Sequence, residues 1–145
     1  MELILLLAQV AATWFMTGLI WFVQIVHYPL YDRVGSVSFV QYERDHCALT
    51  TMVVAPVMVT ELLSAILLLF ARPRYIGGFE ASFALALLII IWLSTLFIAD
   101  NFHGGLSFGF NNQAYHGLLN WNLLRVVLWT LRGLLMLWFC YRCMR

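Results

Sequence analysis

Four histidines occur in the sequence, and each lies where a long apolar run begins or ends: His27, His46, His103 and His116. Neutral imidazole is the commonest protein ligand for zinc, copper, iron and nickel, and histidine also binds haem iron as an axial ligand. Several imidazoles must meet at one point to hold an ion. These histidines therefore form a site only if the surrounding elements bring them together.

The elements available to do this are apolar and long. Hydrophobic residues make up 63% of the 145 positions and charged residues only 10%, and the mean hydropathy is +0.89. Such a composition cannot cover the surface of a soluble domain. Four stretches reach the length of about 20 residues that a bilayer-spanning helix needs; they are residues 3–26, 50–71, 81–99 and 118–141. We therefore predict an all-α fold, a four-helix transmembrane bundle that forms one integral membrane domain over residues 1–145.

The arginines predict the orientation of this bundle. Four of them lie on the side of the termini: Arg72, Arg74, Arg142 and Arg145. On the other side Arg33 and Arg44 lie among acidic residues. Because basic residues concentrate on the cytoplasmic side, both termini should be cytoplasmic, and segments 27–49 and 100–117 should lie at the outer face of a bacterial inner membrane. All four histidines then share that face. The net charge of +1 argues against a nucleic-acid partner.

The shared face predicts a metal site or a haem site at the outer end of the bundle. The expected ligands are the four histidines, with Glu43, Asp45 and Asp100 as further ligands or as acceptors for ring N–H groups. For haem b, the axial pair would be His27 with His103, or His46 with His116. The shallow position favours a bare transition metal ion. The competing interpretation is that these histidines only bind lipid headgroups or loop carbonyls at the interface.

Charged residues also fall inside the predicted spans. Glu61 and Arg132 lie roughly 15 Å from the outer boundary, at 1.5 Å per residue, where a charge costs about 2.5 to 3.5 kcal/mol. Their matching depth and opposite sign predict an ion pair, which either fixes helix register or serves as a proton or anion site. By the same argument Arg125 is expected to pair with Asp100.

The last span carries two different stripes. One contains His116, and the other contains Asn122, Arg125, Trp129 and Arg132. Arg125 lies about 180° around a straight helix from His116, so both cannot point at one narrow axis. Either the regular helix begins after His116, or the arginine stripe faces a second interface.

Three segments carry a resemblance that covers most of the chain: "TGLIWFVQIVHYPLYDRV", "YERDHCALTTMVVAPVMVTELLSAILLL" and "NLLRVVLWTLRGLL". With them the chain resembles a family of small, uncharacterised bacterial inner-membrane proteins with four spans. The family has an HYPL-type end to its first span and an N-x-x-R-x-x-x-W-x-x-R last span. In layout it is distantly similar to the anthrone-oxygenase-like family and to bacterial membrane protoporphyrinogen oxidases, which implies redox chemistry.

These observations predict a metal- or haem-binding membrane protein of the redox type. An oxidase or oxygenase acting on a lipid-soluble substrate, such as a quinone or polyphenol, fits a site at the edge of the bilayer. The alternative is a non-catalytic accessory subunit that packs its aromatic and arginine faces against other membrane subunits. The six tryptophans and the second stripe of the last span favour that alternative.

Overall fold

The structure of the protein is a computed structural model. It describes the backbone of residues 1–145 and every side chain except those of Ala99 and Asp100. In this part of the chain the α-helices are α1 (Glu2–Phe22), α2 (Ser36–Phe70), α3 (Gly78–Ile98), the single turn α4 (Gly104–Leu106) and α5 (Asn112–Cys143). A π-helical turn and then a 3₁₀ helix extend α1, and a second π-helical turn extends α3.

Within these described residues, four helical segments are long and apolar enough to cross a membrane: Glu2–Arg33, Ser36–Phe70, Gly78–Leu106 and Asn112–Cys143. The chain is therefore all-α, as predicted, and has the architecture of a multi-pass membrane protein. Helices suit this setting because each satisfies its backbone hydrogen bonds internally, where lipid offers no partners.

Helix α2 extends well beyond the predicted second span. It begins at Ser36, so much of the segment that hydropathy assigns to a loop is helical. Its 35 residues measure about 52 Å, whereas the hydrocarbon core is about 30 Å thick. Hydropathy locates the apolar window of a helix and misses polar turns that continue it. Residues 36–46 thereby hold Glu43 and His46 on a rigid helix.

The bundle is arranged around α1 and α5. Helix α1 packs against α2 and α5, while α3 packs against α5 and less extensively against α2. Three apolar clusters follow one another along the bundle. They include Tyr31 and Phe39 at one end, Ile91 near the middle, and Leu6 and Met136 at the other end.

A buried ion pair crosses the middle of the bundle. Arg132 donates from Nε to Oε1 of Glu61 at 3.1 Å, and both side chains are 0% exposed. The same carboxylate accepts from the Thr13 hydroxyl at 2.7 Å and from Trp129 Nε1 at 3.2 Å, and Arg132 also donates to the carbonyl of Ala84. The predicted Glu61–Arg132 pair is thus present and joins α1, α2, α3 and α5.

The structure fits neither of the two arrangements expected for the stripes of the last span. Helix α5 begins at Asn112, with the Asn111 side chain accepting from the Ala114 N–H at 3.0 Å, so His116 belongs to the regular helix. His116 is exposed, whereas Arg125 and Arg132 are buried in the bundle. A guanidinium is more costly to place against lipid than against protein partners, so the arginine stripe faces inward and His116 faces outward.

Loss of the Glu61 charge should strongly destabilise the bundle. Glu61→Gln leaves Arg132 buried beside a neutral amide, and we expect a loss of about 3 kcal/mol in the free energy of unfolding. The matched control is Glu80→Gln, which removes a partly exposed pair with Arg142 at 3.1 Å and should cost less than about 1 kcal/mol. Denaturant titration of the detergent-solubilised variants measures both. Equal losses for the two variants would contradict this role of the central pair.

Candidate metal centre

Two of the histidines end irregular helical turns. The π-helical turn Val23–His27 extends α1, and the π-helical turn Ala99–His103 extends α3. A π turn inserts an extra residue into the helix, which re-aims the side chains that follow, and such turns are frequent at functional sites. The same local device therefore sets the directions of His27 and His103.

The centre of the site is the carboxylate of Glu43, whose side chain is only 1% exposed. Its Oε1 lies 2.6 Å from His103 Nδ1 and accepts from the Cys47 thiol at 3.6 Å. Residues 43 and 47 are one helical turn apart on α2, so their side chains share a face. Ligand atoms of Glu43, Cys47 and His103 all lie within 4.8 Å of one another.

His46 and His27 extend this cluster. Nδ1 of His46 lies 2.7 Å from His27 Nε2 and 3.2 Å from the Thr50 hydroxyl. Its ring stacks on both neighbouring imidazoles, with centroid distances of 4.5 Å to His27 and 5.5 Å to His103. Both of these hydrogen bonds of His46 use Nδ1, so Nε2 is the nitrogen left for a ligand.

A polar chain connects the cluster to α5. The Tyr28 hydroxyl lies 3.3 Å from His103 Nε2 and accepts from Arg125 Nη2 at 3.4 Å. Arg125 also donates to the Asn122 side chain, which in turn donates to Gln24 at 2.8 Å. Arg125, on the inward stripe of α5, therefore holds the hydroxyl of Tyr28, and this hydroxyl contacts His103.

A cavity of about 480 Å³ begins at this cluster and runs down the bundle. Its polar end is formed by Glu43, His46, Cys47 and His103, and its walls are mainly apolar side chains of α1, α2 and α3. Thr51 on α2 and Leu96 on α3 line it and are also exposed. Gly104 and Ser107, which follow His103, also line the cavity and are exposed. The cavity therefore opens between α2 and α3, on the side of the bundle that would contact lipid, and also beside the cluster.

The structure brings together three of the four predicted histidine ligands, and His116 is not among them. His116 packs its ring on Tyr115, with centroids 5.3 Å apart, and does not line the cavity. Asp45 is exposed and bonds to Gln41. The predicted partner of Arg125, Asp100, has a side chain outside the described residues.

Sequence reasoning gave Glu43 only an auxiliary role and gave Cys47 none. The signal for both was present in the i, i+4 spacing of Glu43 and Cys47, with His46 on the same helical turn. That signal was obscured because hydropathy assigned these residues to a loop, where spacing carries no directional information. The contact of Tyr28 with His103 depends on the π turns and has no signature in the sequence.

Comparison with known proteins gives no match: neither a family model, nor a curated protein, nor a solved structure matches this chain.

The close contact between α5 and the turn before His103 can be tested with glycines. A Cβ added at Gly117 would overlap the ring of Phe102, which directly precedes His103. We expect Gly117→Ala to destabilise the protein by about 1 to 3 kcal/mol through overpacking. Gly18→Ala is the control, because a Cβ there meets nothing within 4 Å and a helical alanine is favoured over glycine. Thermal unfolding in detergent compares the two, and an unchanged midpoint for Gly117→Ala would disprove the contact.

Proposed function

We propose that the protein is an integral membrane protein that binds a first-row transition metal ion through Glu43, Cys47, His46 and His103. The observation that carries the proposal is the convergence of Glu43, Cys47 and His103 ligand atoms within 4.8 Å of one another at the end of a cavity. Carboxylate, thiolate and imidazole are the donors that zinc, iron and copper take in proteins.

The surroundings of the histidines fit ligation. A metal-bound histidine commonly uses one ring nitrogen for the ion and hydrogen-bonds through the other. His103 lies with Nδ1 beside Glu43 and Nε2 beside the Tyr28 hydroxyl. An ion held together with Glu43 would replace the hydrogen bond at Nδ1 and leave the one at Nε2. His46 bonds through Nδ1 to His27 and Thr50. In this arrangement His27 orients His46 and is one hydrogen bond removed from the ion.

The contacts favour a bare ion over haem. Because the ring of His46 stacks on both His27 and His103, a porphyrin cannot lie between those two as axial ligands. The other predicted pair, His46 with His116, would need an exposed side chain that does not line the cavity. The cluster is compact, and compactness suits direct coordination of a single ion.

The activity that this arrangement serves is redox chemistry on a lipid-soluble molecule. Iron and copper accept these donors and change oxidation state. The cavity leads from the cluster to the side of the bundle that would contact lipid, so a hydrophobic substrate such as a quinone or polyphenol reaches the ion without crossing water. The resemblance in layout to membrane oxidases and oxygenases agrees with this proposal.

The location of the site follows from the same charges that orient the bundle. The α2–α3 connection and the C-terminus carry the arginine excess, Arg72 and Arg74 in the former and Arg142 and Arg145 in the latter. We therefore place both termini in the cytoplasm of a bacterium and the cluster at the periplasmic face of its inner membrane.

Two features of the sequence favoured a non-catalytic accessory subunit, namely the tryptophans and the second stripe of the last span, and the structure removes the second of these arguments. That argument depended on the arginine stripe of the last span facing another subunit, and that stripe is buried within this chain. Tryptophans exposed on the bundle surface, such as Trp21 and Trp138, are equally suited to the lipid interface.

Metal analysis of purified protein tests the proposal. We expect about one transition metal ion per chain in wild type, and at least a ten-fold loss of affinity in Glu43→Gln, Cys47→Ser and His103→Ala, because each removes a ligand. His27→Ala should lower the affinity as an outer partner, by about ten-fold. Elemental analysis and metal titration of detergent-solubilised protein measure these changes.

The matched control is His116→Ala, which removes an exposed histidine and should retain the full metal content. A metal-free wild type, or equal metal content in all these variants, would contradict the proposed site. A metal-free protein that always copurifies with fixed membrane partners would establish the accessory role instead.

A further inference from the structure

The cavity contains hydrogen-bond donors that the protein itself does not satisfy. Arg125 is 8% exposed and lines the cavity, and its Nε is buried without a hydrogen-bond partner in the described structure. Trp92 also lines the cavity, and its Nε1 is buried and unpartnered in the same way. Arginine and the tryptophan indole are donors only and cannot accept. A molecule that satisfies them must therefore present acceptor atoms.

The charge of Arg125 indicates which kind of acceptor-bearing molecule would fit the cavity. The contacts of Arg125 are the neutral side chains of Tyr28 and Asn122, and no carboxylate among the described side chains lies within ion-pair distance of it. The contrast is with Arg132 on the same stripe, which Glu61 neutralises. A buried guanidinium with no carboxylate partner among the described side chains favours an anionic occupant of the adjacent space.

The length and the apolar lining of the cavity indicate what the remainder of an anionic ligand would be. The lining on α2 runs from Glu43 to Met58, which corresponds to about 22 Å along the helix. The apolar walls include Met16, Val54 and Leu96, and these would surround a hydrocarbon chain. The cavity is therefore amphipathic: the donors of Arg125 and Trp92 lie beside an apolar channel that ends at the metal cluster.

We propose that this cavity binds a lipid-soluble carboxylic acid with a single hydrocarbon chain, whose carboxylate is held by Arg125 and Trp92. The acid enters from the bilayer between α2 and α3. This site shares its cavity with the proposed metal centre but uses different side chains, because neither Arg125 nor Trp92 is a proposed metal ligand. Binding of the acid does not require the ion.

The test is saturable binding of radiolabelled dodecanoate to wild-type protein in nanodiscs, measured by scintillation proximity. We expect one saturable site per chain, with methyl dodecanoate competing at least ten-fold more weakly than dodecanoate because it lacks the charge. Arg125→Gln should weaken binding at least ten-fold, and Trp92→Phe should weaken it several-fold. Ala55→Phe, which fills the cavity from α2, should abolish binding.

The control variant is Arg142→Gln, which removes a guanidinium outside the cavity and should leave dodecanoate binding unchanged. If Arg125→Gln does not fold, Trp92→Phe and Ala55→Phe decide the matter. Absence of saturable dodecanoate binding, or equal competition by the methyl ester, would overturn the proposal. Repeating the titration after chelator treatment separates it from the metal site, since acid binding should persist when the ion is removed.

Discussion

The constraint on which the structure depends is the cost of exposing charge to hydrocarbon. Helix α5 carries Arg125 and Arg132 two turns apart on one face, and neither can be left against lipid without a cost of about 2.5 to 3.5 kcal/mol. Turning this face inward fixes the rotation of α5 about its axis. Arg132 then reaches Glu61 on α2, and Arg125 reaches Tyr28 at the end of α1. The register of three helices thus follows from the position of two guanidinium groups.

The two arginines lie in different environments. Arg132 forms an ion pair that stabilises the bundle, whereas Arg125 lines the cavity where a ligand could bind. Arg132 is fully buried and its charge is met by Glu61, with Thr13 and Trp129 completing the bonds of the carboxylate. Both charges of this centre are met within the bundle, so the pair serves stability. Arg125 lies against a cavity of about 480 Å³ that also reaches Glu43 and His103. Polar groups that border open space are the ones able to meet an ion or a substrate.

Much of the fold could be predicted from the sequence, because hydropathy over windows of about 20 residues determines the spans. The Glu61–Arg132 pair was also predictable, since depth along a helix follows from residue count. The rotation of α5 was harder to predict, because the sequence presents two polar stripes and only the higher cost of leaving arginine against lipid decides which one faces inward. The expected stripe containing His116 is consequently on the outside.

The candidate site could be predicted only in part, because the directions of its side chains depend on local backbone geometry. Three of its histidines were identified as helix-end residues, but the directions of His27 and His103 depend on the π turns that end at them, and no residue pattern marks a π turn. The role of Cys47 required knowing that α2 begins at Ser36, which places Glu43 and Cys47 one turn apart. Local backbone geometry, more than residue type, therefore determines which side chains meet.

The most direct test of the metal centre is X-ray absorption at the zinc edge of the zinc-loaded protein. We expect one sulfur at about 2.3 Å, from Cys47, together with nitrogen and oxygen ligands at about 2.0 to 2.2 Å and the outer-shell scattering of two imidazoles. A shell of solvent oxygens alone, or failure to retain zinc after gel filtration, would contradict the proposed metal centre.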